Sequence, residues 1–173
     1  MRERQRPARR SVPDAGVGLL VQSLAVRVVV RESVSASCEA AFDLLHDYDR
    51  RLDWDTLLSA AWLEGGAARA GRGVVATCVG RGGLRRFALS TVYVSFDRPR
   101  VAAVKLVNRV PVFATWAASI RHAPEAEGRS SVTYTLHFTT RPAWLRWLVE
   151  PIAAVVFRWE TRRRLAALRA RLA

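Results

Sequence analysis

With 173 residues, half of them hydrophobic, the chain has the length and composition of one domain with a sizeable core, and not those of a disordered polymer. Its formal net charge of +13 is carried almost wholly by arginine, since Lys105 is the sole lysine, and it concentrates at the ends: +4 over residues 1–10 and +6 over residues 141–173. Arginine-rich codon usage in a GC-rich genome is the bland explanation; an anionic surface met by two basic ends is the functional alternative.

In chain order, residues 1–21 read as a basic, mobile arm ahead of a domain over residues 22–173. The arm mimics a secretory signal only in part. Its apolar stretch Gly16–Val21 falls short of the ~7–15 residues of a signal core, and Pro13 and Asp14 follow Arg9-Arg10 where a twin-arginine signal needs an apolar run. Leu24, Val26, Val28 and Val30 alternate with Arg27 and Arg31, the period-two pattern of a half-buried strand. Ser33, Ser35 and Ser37 then offer capping hydroxyls to a helix that places Cys38, Ala41, Phe42 and Leu45 on one face. Asp49–Trp54 is short and charged, and reads as a second brief helix or turn.

Strands are expected over 57–63, 73–79, 84–96, 101–107, 112–122 and 131–139. Gly65-Gly66, Gly80–Gly83, Asp97–Arg100 and Pro124–Gly128 supply the turns between them. Val132, Tyr134, Leu136 and Phe138 share one side of the last strand, and Val112, Ala114, Trp116, Ala118 and Ile120 share one side of the strand before it. Both sets are assigned to the interior. Strand 84–96 has two plausible inner faces, one carrying Arg86, Ala88, Ser90 and Val92, the other Phe87, Leu89, Thr91 and Tyr93.

Arg141-Pro142 ends the strands. Trp144–Val149 is a short apolar segment, and Pro151 suits the first turn of a long final helix. Ala154, Phe157, Thr161, Leu165, Leu168 and Leu172 form one stripe of that helix. Its first half also carries Ile152, Val155, Val156 and Trp159 on the opposite side, so it must be covered there by Trp144–Val149, a partner subunit or a membrane. No run approaches the ~18 apolar residues of a membrane span.

Few motifs carry chemistry. Gly71-Arg-Gly73-Val-Val-Ala76 matches a dinucleotide fingerprint in letters but lacks a strand before it and a helix after it. His46, His122 and His137 have no metal-ligand spacing and read as surface or strand-end residues, so no metal and no cofactor are expected. Cys38 and Cys78 read as buried, reduced thiols. Asp47, Asp49, Asp53 and Asp55 lack the central glycine and closing glutamate of a calcium loop; Asp49 and Asp53 are expected to pair locally with Arg50 and Arg51.

The stretch Asp47-Tyr-Asp-Arg-Arg-Leu-Asp-Trp-Asp55, set between a short helix and a succession of strands, together with the closing basic helix Glu160–Leu172, resembles the helix-grip superfamily, also called START-like or SRPBCC. That resemblance implies an α+β fold: a curved seven-stranded antiparallel sheet around a long C-terminal helix, with two short helices after the first strand and a cavity for an apolar ligand. It also implies that Trp54 sits near the cavity mouth. Trp116, with small neighbours Ala114 and Ala118, and Tyr134, whose hydroxyl faces inward, are the further candidate ligand contacts. Arg86 and Ser90 join them if their face of strand 84–96 turns inward. No catalytic residue can be assigned.

The reading that follows is a carrier or sensor of a small hydrophobic molecule: a lipid, a polyketide or a quinone-like compound. A metal-independent polyketide cyclase or dehydratase is the alternative, and a basic module associated with membrane or RNA is a weaker one. Cytoplasmic location, weak contact of the arginine-rich C-terminal helix with anionic membrane, and an optional homodimer complete the expectations. Nucleic acid is not expected, because the aromatics follow interior periods.

Overall fold

The computed structural model describes residues 25–81 and 88–173. The basic arm, the second half of the Gly80–Gly83 turn and Arg86 therefore lie outside the described residues.

One chain-long antiparallel sheet dominates. Its strands are β1 (Val26–Val34), β2 (Leu58–Leu63), β3 (Val75–Gly80), β4 (Ala88–Asp97), β5 (Val101–Leu106), β6 (Phe113–Ala126) and β7 (Arg129–Thr140). They lie in the order β1-β7-β6-β5-β4-β3-β2, so the first two strands in sequence occupy the two edges. Helices α1 (Cys38–His46) and α2 (Arg51–Trp54) bridge from one edge to the other, and α3 (Arg146–Arg171) closes the chain. This is the expected helix-grip architecture: seven strands, two short helices after the first, and a long last helix.

The elements follow from local chemistry. Ser37 Oγ accepts the Ala40 N–H at 3.2 Å and starts α1, which then buries Ala41, Phe42, Leu44 and Leu45. In β1 and β7 the alternation holds throughout, with Val28, Val30, Val132, Tyr134, Leu136 and Phe138 all buried. Gly65 and Gly66 take φ of 66° and 71°, a left-handed backbone that glycine enters without a Cβ clash. Thr161, Leu165 and Leu168 of α3 seat the helix on β1 and β7.

Two expectations change. Helix α3 begins at Arg146, five residues before Pro151. Proline at the sixth helical position has no N–H to donate to the Trp147 carbonyl. Glu150 compensates by accepting from the Thr140 N–H at 3.0 Å and from Arg146 Nε at 2.9 Å, which ties the new start of the helix to β7. In β6, a register shift between Phe113 and Thr115 reverses the alternation. Phe113 points inward and is buried, while Ala114, assigned inward by simple alternation, is exposed.

Candidate functional site

Between the sheet and α3 lies a cavity of about 500 Å³, a size typical of small-molecule sites. Its lining is mostly apolar and comes from all three helices and from β2 to β7. Ile152 and Val156 line it and are also 58% and 43% exposed, so the cavity opens beside the first half of α3.

The five sequence candidates separate. Trp116 and Tyr134 both contribute to the lining. Trp54 does not: it is buried in the main core, beneath the Arg51 guanidinium, whose central carbon lies 4.8 Å from its ring centroid. The mouth position implied for Trp54 is thus taken by the exposed residues of α3. Ser90 also points away from the cavity; its hydroxyl meets Thr77 Oγ1 at 2.7 Å, and Thr77 in turn donates to Glu64. The inner face of β4 is the alternative one, carrying Leu89, Thr91 and Tyr93. Arg86 lies outside the described residues.

Sequence reasoning missed the charged part of the wall. Arg51 and Asp55 sit four residues apart, and Arg51 Nε donates to Asp55 Oδ2 at 3.1 Å while its amino end donates to the Leu45 carbonyl. From α3, Arg164 Nε reaches the same carboxylate oxygen at 2.9 Å. Asp55 has no exposed surface and Arg51 is 6% exposed, so two guanidiniums share one carboxylate in the protein interior. Burial opposes charge on all three groups. The two arginines nonetheless hold Asp55 below the usual carboxylate range, and Asp55 holds both arginines firmly protonated. These residues overturn two expectations. Arg51 pairs with Asp55, not with Asp49 or Asp53. Arg164 faces inward, although the basic run Arg162-Arg163-Arg164 suggests a surface charge.

Arg164 is surrounded by protein, yet 21% of its side chain remains accessible. It lines the cavity, so that accessible part opens into it. Its Nε–H has no aligned acceptor despite its closeness to Asp55, so this contact is an ion pair and not a directed hydrogen bond. Glu160, one turn earlier on α3, also lines the cavity. Burial raises its carboxyl above the usual range and Arg164 partly counters the shift. Among the tyrosines, the Tyr48 and Tyr93 hydroxyls meet at 3.2 Å, and burial raises Tyr93 to about 12. Burial likewise raises Tyr134, against the pull of Arg164 and Arg51.

Both cysteines are free and half-buried, and Cys78 lines the cavity, where burial raises its thiol. Two of the histidines depart from their surface reading. His46 and His122 are both buried against Phe42, with ring centroids 4.3 and 5.3 Å from it, and burial lowers each to about 4. Only His137 is exposed. Among the described residues no cluster of His, Cys, Asp or Glu has the grouping of a metal site.

The family described as "Polyketide cyclase / dehydrase and lipid transport" matches residues 25–173. Solved structures share the fold at low identity. A START superfamily protein from Mycobacterium smegmatis aligns with a TM-score of 0.69 at 11% identity, covering 84% of this chain and 96% of that one. The Zhui aromatase/cyclase from Streptomyces sp. R1128 gives 0.69 at 18% identity, covering 86% and 93%. Ginseng major latex-like protein 151 from Panax ginseng gives 0.66 at 10% identity, covering 87% and 99%. No curated protein shows a significant sequence match.

Proposed function

The chain belongs to the polyketide cyclase / dehydrase and lipid transport family, and from that premise we propose that it binds a small hydrophobic molecule between the sheet and α3 and acts as its carrier or sensor. The observation that carries this reading is the apolar cavity of about 500 Å³. Burial of apolar ligand surface contributes about 25 cal/mol per Å², enough for tight binding from a modest contact area. Lipid, polyketide and quinone-like molecules all fit that description. Titration with an apolar fluorescent probe tests it. Saturable binding is expected, and it should be lost in Ala118→Trp, which fills the cavity from β6. A protein that binds no apolar probe, and with which no apolar molecule copurifies, would refute the reading.

A second reading, a metal-independent polyketide cyclase or dehydratase, draws on one specific observation. Glu160 places a carboxyl of raised proton affinity in the same wall as the Arg164 guanidinium. A carboxyl of this kind can exchange a proton with a poly-β-ketone while a cation stabilises the developing enolate. Turnover of a model poly-β-ketone that disappears in Glu160→Gln, with probe binding retained, would favour catalysis over carriage.

The cavity mouth suggests where the ligand comes from. Trp144, Trp147 and Trp159 are 74%, 75% and 57% exposed, and Leu148, Ile152 and Val155 lie exposed beside them. An apolar face of this kind marks an interaction surface. Arg162 and Arg163 follow Trp159 by three and four residues on the same side of α3, and both are exposed. An anionic lipid surface complements both features: indole rings favour the membrane interface, and guanidiniums favour its phosphates. A second copy fits less well, since symmetric contact would bring like charges together. Among the described residues no helix is long and apolar enough to cross a membrane, so the face would lie on the bilayer.

A further inference from the structure

We propose that the cavity wall at Arg164 and Tyr134 is a subsite for an anionic oxygen, so that the ligand is an apolar molecule carrying one acidic head, a carboxylate or an enolate. The inference deepens the ligand-binding reading above and rests on it.

Charge balance comes first. Arg51, Arg164 and Asp55 form a buried group with two positive charges and one negative. An uncompensated charge in a protein interior is costly, and it is ordinarily met by a partner. Arg51 has its partners in place: the Leu45 carbonyl, the Asp55 carboxylate and the face of Trp54. The positive charge left over therefore resides on Arg164.

Geometry then selects the direction in which that charge acts. Asp55 lies against the Nε edge of Arg164, and Nε itself is closed off from solvent. A guanidinium has five N–H donors in a planar fork, so the amino groups at its far end are the donors left for the cavity. Arg164 lines a space whose walls are otherwise mostly apolar. Tyr134, on β7, lines the same space within electrostatic reach of Arg164 and adds a hydroxyl donor. A carboxylate or enolate oxygen placed here accepts from both and neutralises the surplus charge. A cationic head would meet two guanidiniums, and a neutral alcohol would leave the charge as it is.

Glu160 is the residue that opposes this arrangement. It stands four residues before Arg164, the spacing of a helical ion pair, yet no ion pair forms between them, because Arg164 turns to Asp55. Burial raises the proton affinity of Glu160 above the usual carboxylate range, and Arg164 partly counters the shift. Its carboxyl can therefore give way to a ligand anion by taking up a proton. Glu160 thereby sets the sign of one test: removing its charge should help an acidic ligand.

The test uses three probes of equal chain length: dodecanoic acid, dodecanol and dodecylamine. Each is titrated into the full chain by calorimetry at neutral pH. The acid is expected to bind about tenfold more tightly than the alcohol, the difference that one charge-assisted hydrogen bond supplies, and the amine should bind most weakly. Arg164→Gln should bring the acid down to the affinity of the alcohol and leave the alcohol unchanged. Because that variant touches a buried ion pair, two milder ones accompany it. Tyr134→Phe should weaken the acid alone, and Glu160→Gln should tighten the acid alone. Equal binding of acid and alcohol by the unaltered chain overturns the subsite while leaving the apolar-ligand reading standing. Failure of all three probes to bind overturns both. Tighter binding of the amine, or a Glu160→Gln variant that weakens the acid, would place the opposite charge at the head of the ligand and overturn the subsite.

Discussion

The two halves of α3 behave as if they belonged to different proteins. Residues 146–159 leave Trp147, Ile152, Val155 and Trp159 in solvent, whereas residues 160–171 bury Thr161, Leu165 and Leu168 against β1 and β7. The second half anchors the helix through a stripe three and four residues apart. The first half, which carries no fully buried side chain, is held by its neighbours and by Glu150 on the Thr140 N–H. Stability is thus concentrated in one half of the helix, and the cavity mouth is placed in the other. The two charged residues of α3 that line the cavity, Glu160 and Arg164, stand at the junction.

The sharpest way to break this comparison is to attack the junction. Asp55→Asn keeps the shape and removes the carboxylate that Arg51 and Arg164 share. Leaving buried charges unpaired in this way costs about 3–5 kcal/mol. Urea unfolding should show a loss of that size; a near-neutral variant would mean that water already reaches the cluster. Next comes the anchor. Leu168 has no exposed surface, and Leu168→Ala should cost about 2–5 kcal/mol, whereas Val155→Ala, 70% exposed, should stay within about 0.5 kcal/mol. Equal losses would show that the outer face is covered.

Acid provides a third, intermediate test, because α3 contains no histidine. His46 and His122 titrate near 4 in the fold and near 6.5 when unfolded, so the unfolded chain takes up protons first. Stability should fall as pH drops from about 6.5 to about 4, and keep falling below that as the depressed Asp55 carboxylate is protonated. Glu160, shifted upward, acts in the opposite sense and gains stability on acidification. Melting curves of Leu168→Ala and of the unaltered protein should therefore show parallel pH dependence. Diverging curves would place titrating groups against the helix anchor.

The smallest stability effect should come with the largest change in surface behaviour. Trp147→Ser with Trp159→Ser should alter unfolding by no more than about 1 kcal/mol in total. The same pair should lower binding to phosphatidylglycerol-containing vesicles by about tenfold or more. Sedimentation of the unaltered chain as a dimer, with both indoles shielded, would assign the face to a second copy instead.

Alternation and helical spacing made the architecture legible wherever one face of an element is buried and the other wet. Strand β7 and helix α1 are read correctly in kind and in face from sequence alone, since Val132–Phe138 and Ala41–Leu45 keep their periods without interruption. The failures have local causes. A single bulge in β6 reverses the parity on which Ala114 and Phe113 were assigned. In β4 both faces carry small or amphipathic residues, so Ser90 and Thr91 offer no contrast. Arg164 was hidden because it looks like its neighbours Arg162 and Arg163. Only its place beside Leu165 and three residues after Thr161, within the buried stripe, sets it apart. Asp55 was hidden for the opposite reason: its second partner, Arg164, lies more than a hundred residues away, and pairing over that distance leaves no trace in a window of local sequence.

The strand order has a consequence for how the chain is made. Strands β2 to β7 add to one another in sequence, each pairing with the strand just before it, so this part of the sheet can grow as the polypeptide leaves the ribosome. β1 cannot join in. Its partner is β7, and Val26 faces Phe138 across a separation of more than a hundred residues. Until Thr140 has been synthesised, Val28 and Val30 have no sheet to join, and until α3 follows, both lack the helix that covers them. A ribosome that stalls between β6 and β7 therefore presents the first strand as an open edge to any passing chain. The last third of the message decides when the first strand becomes safe.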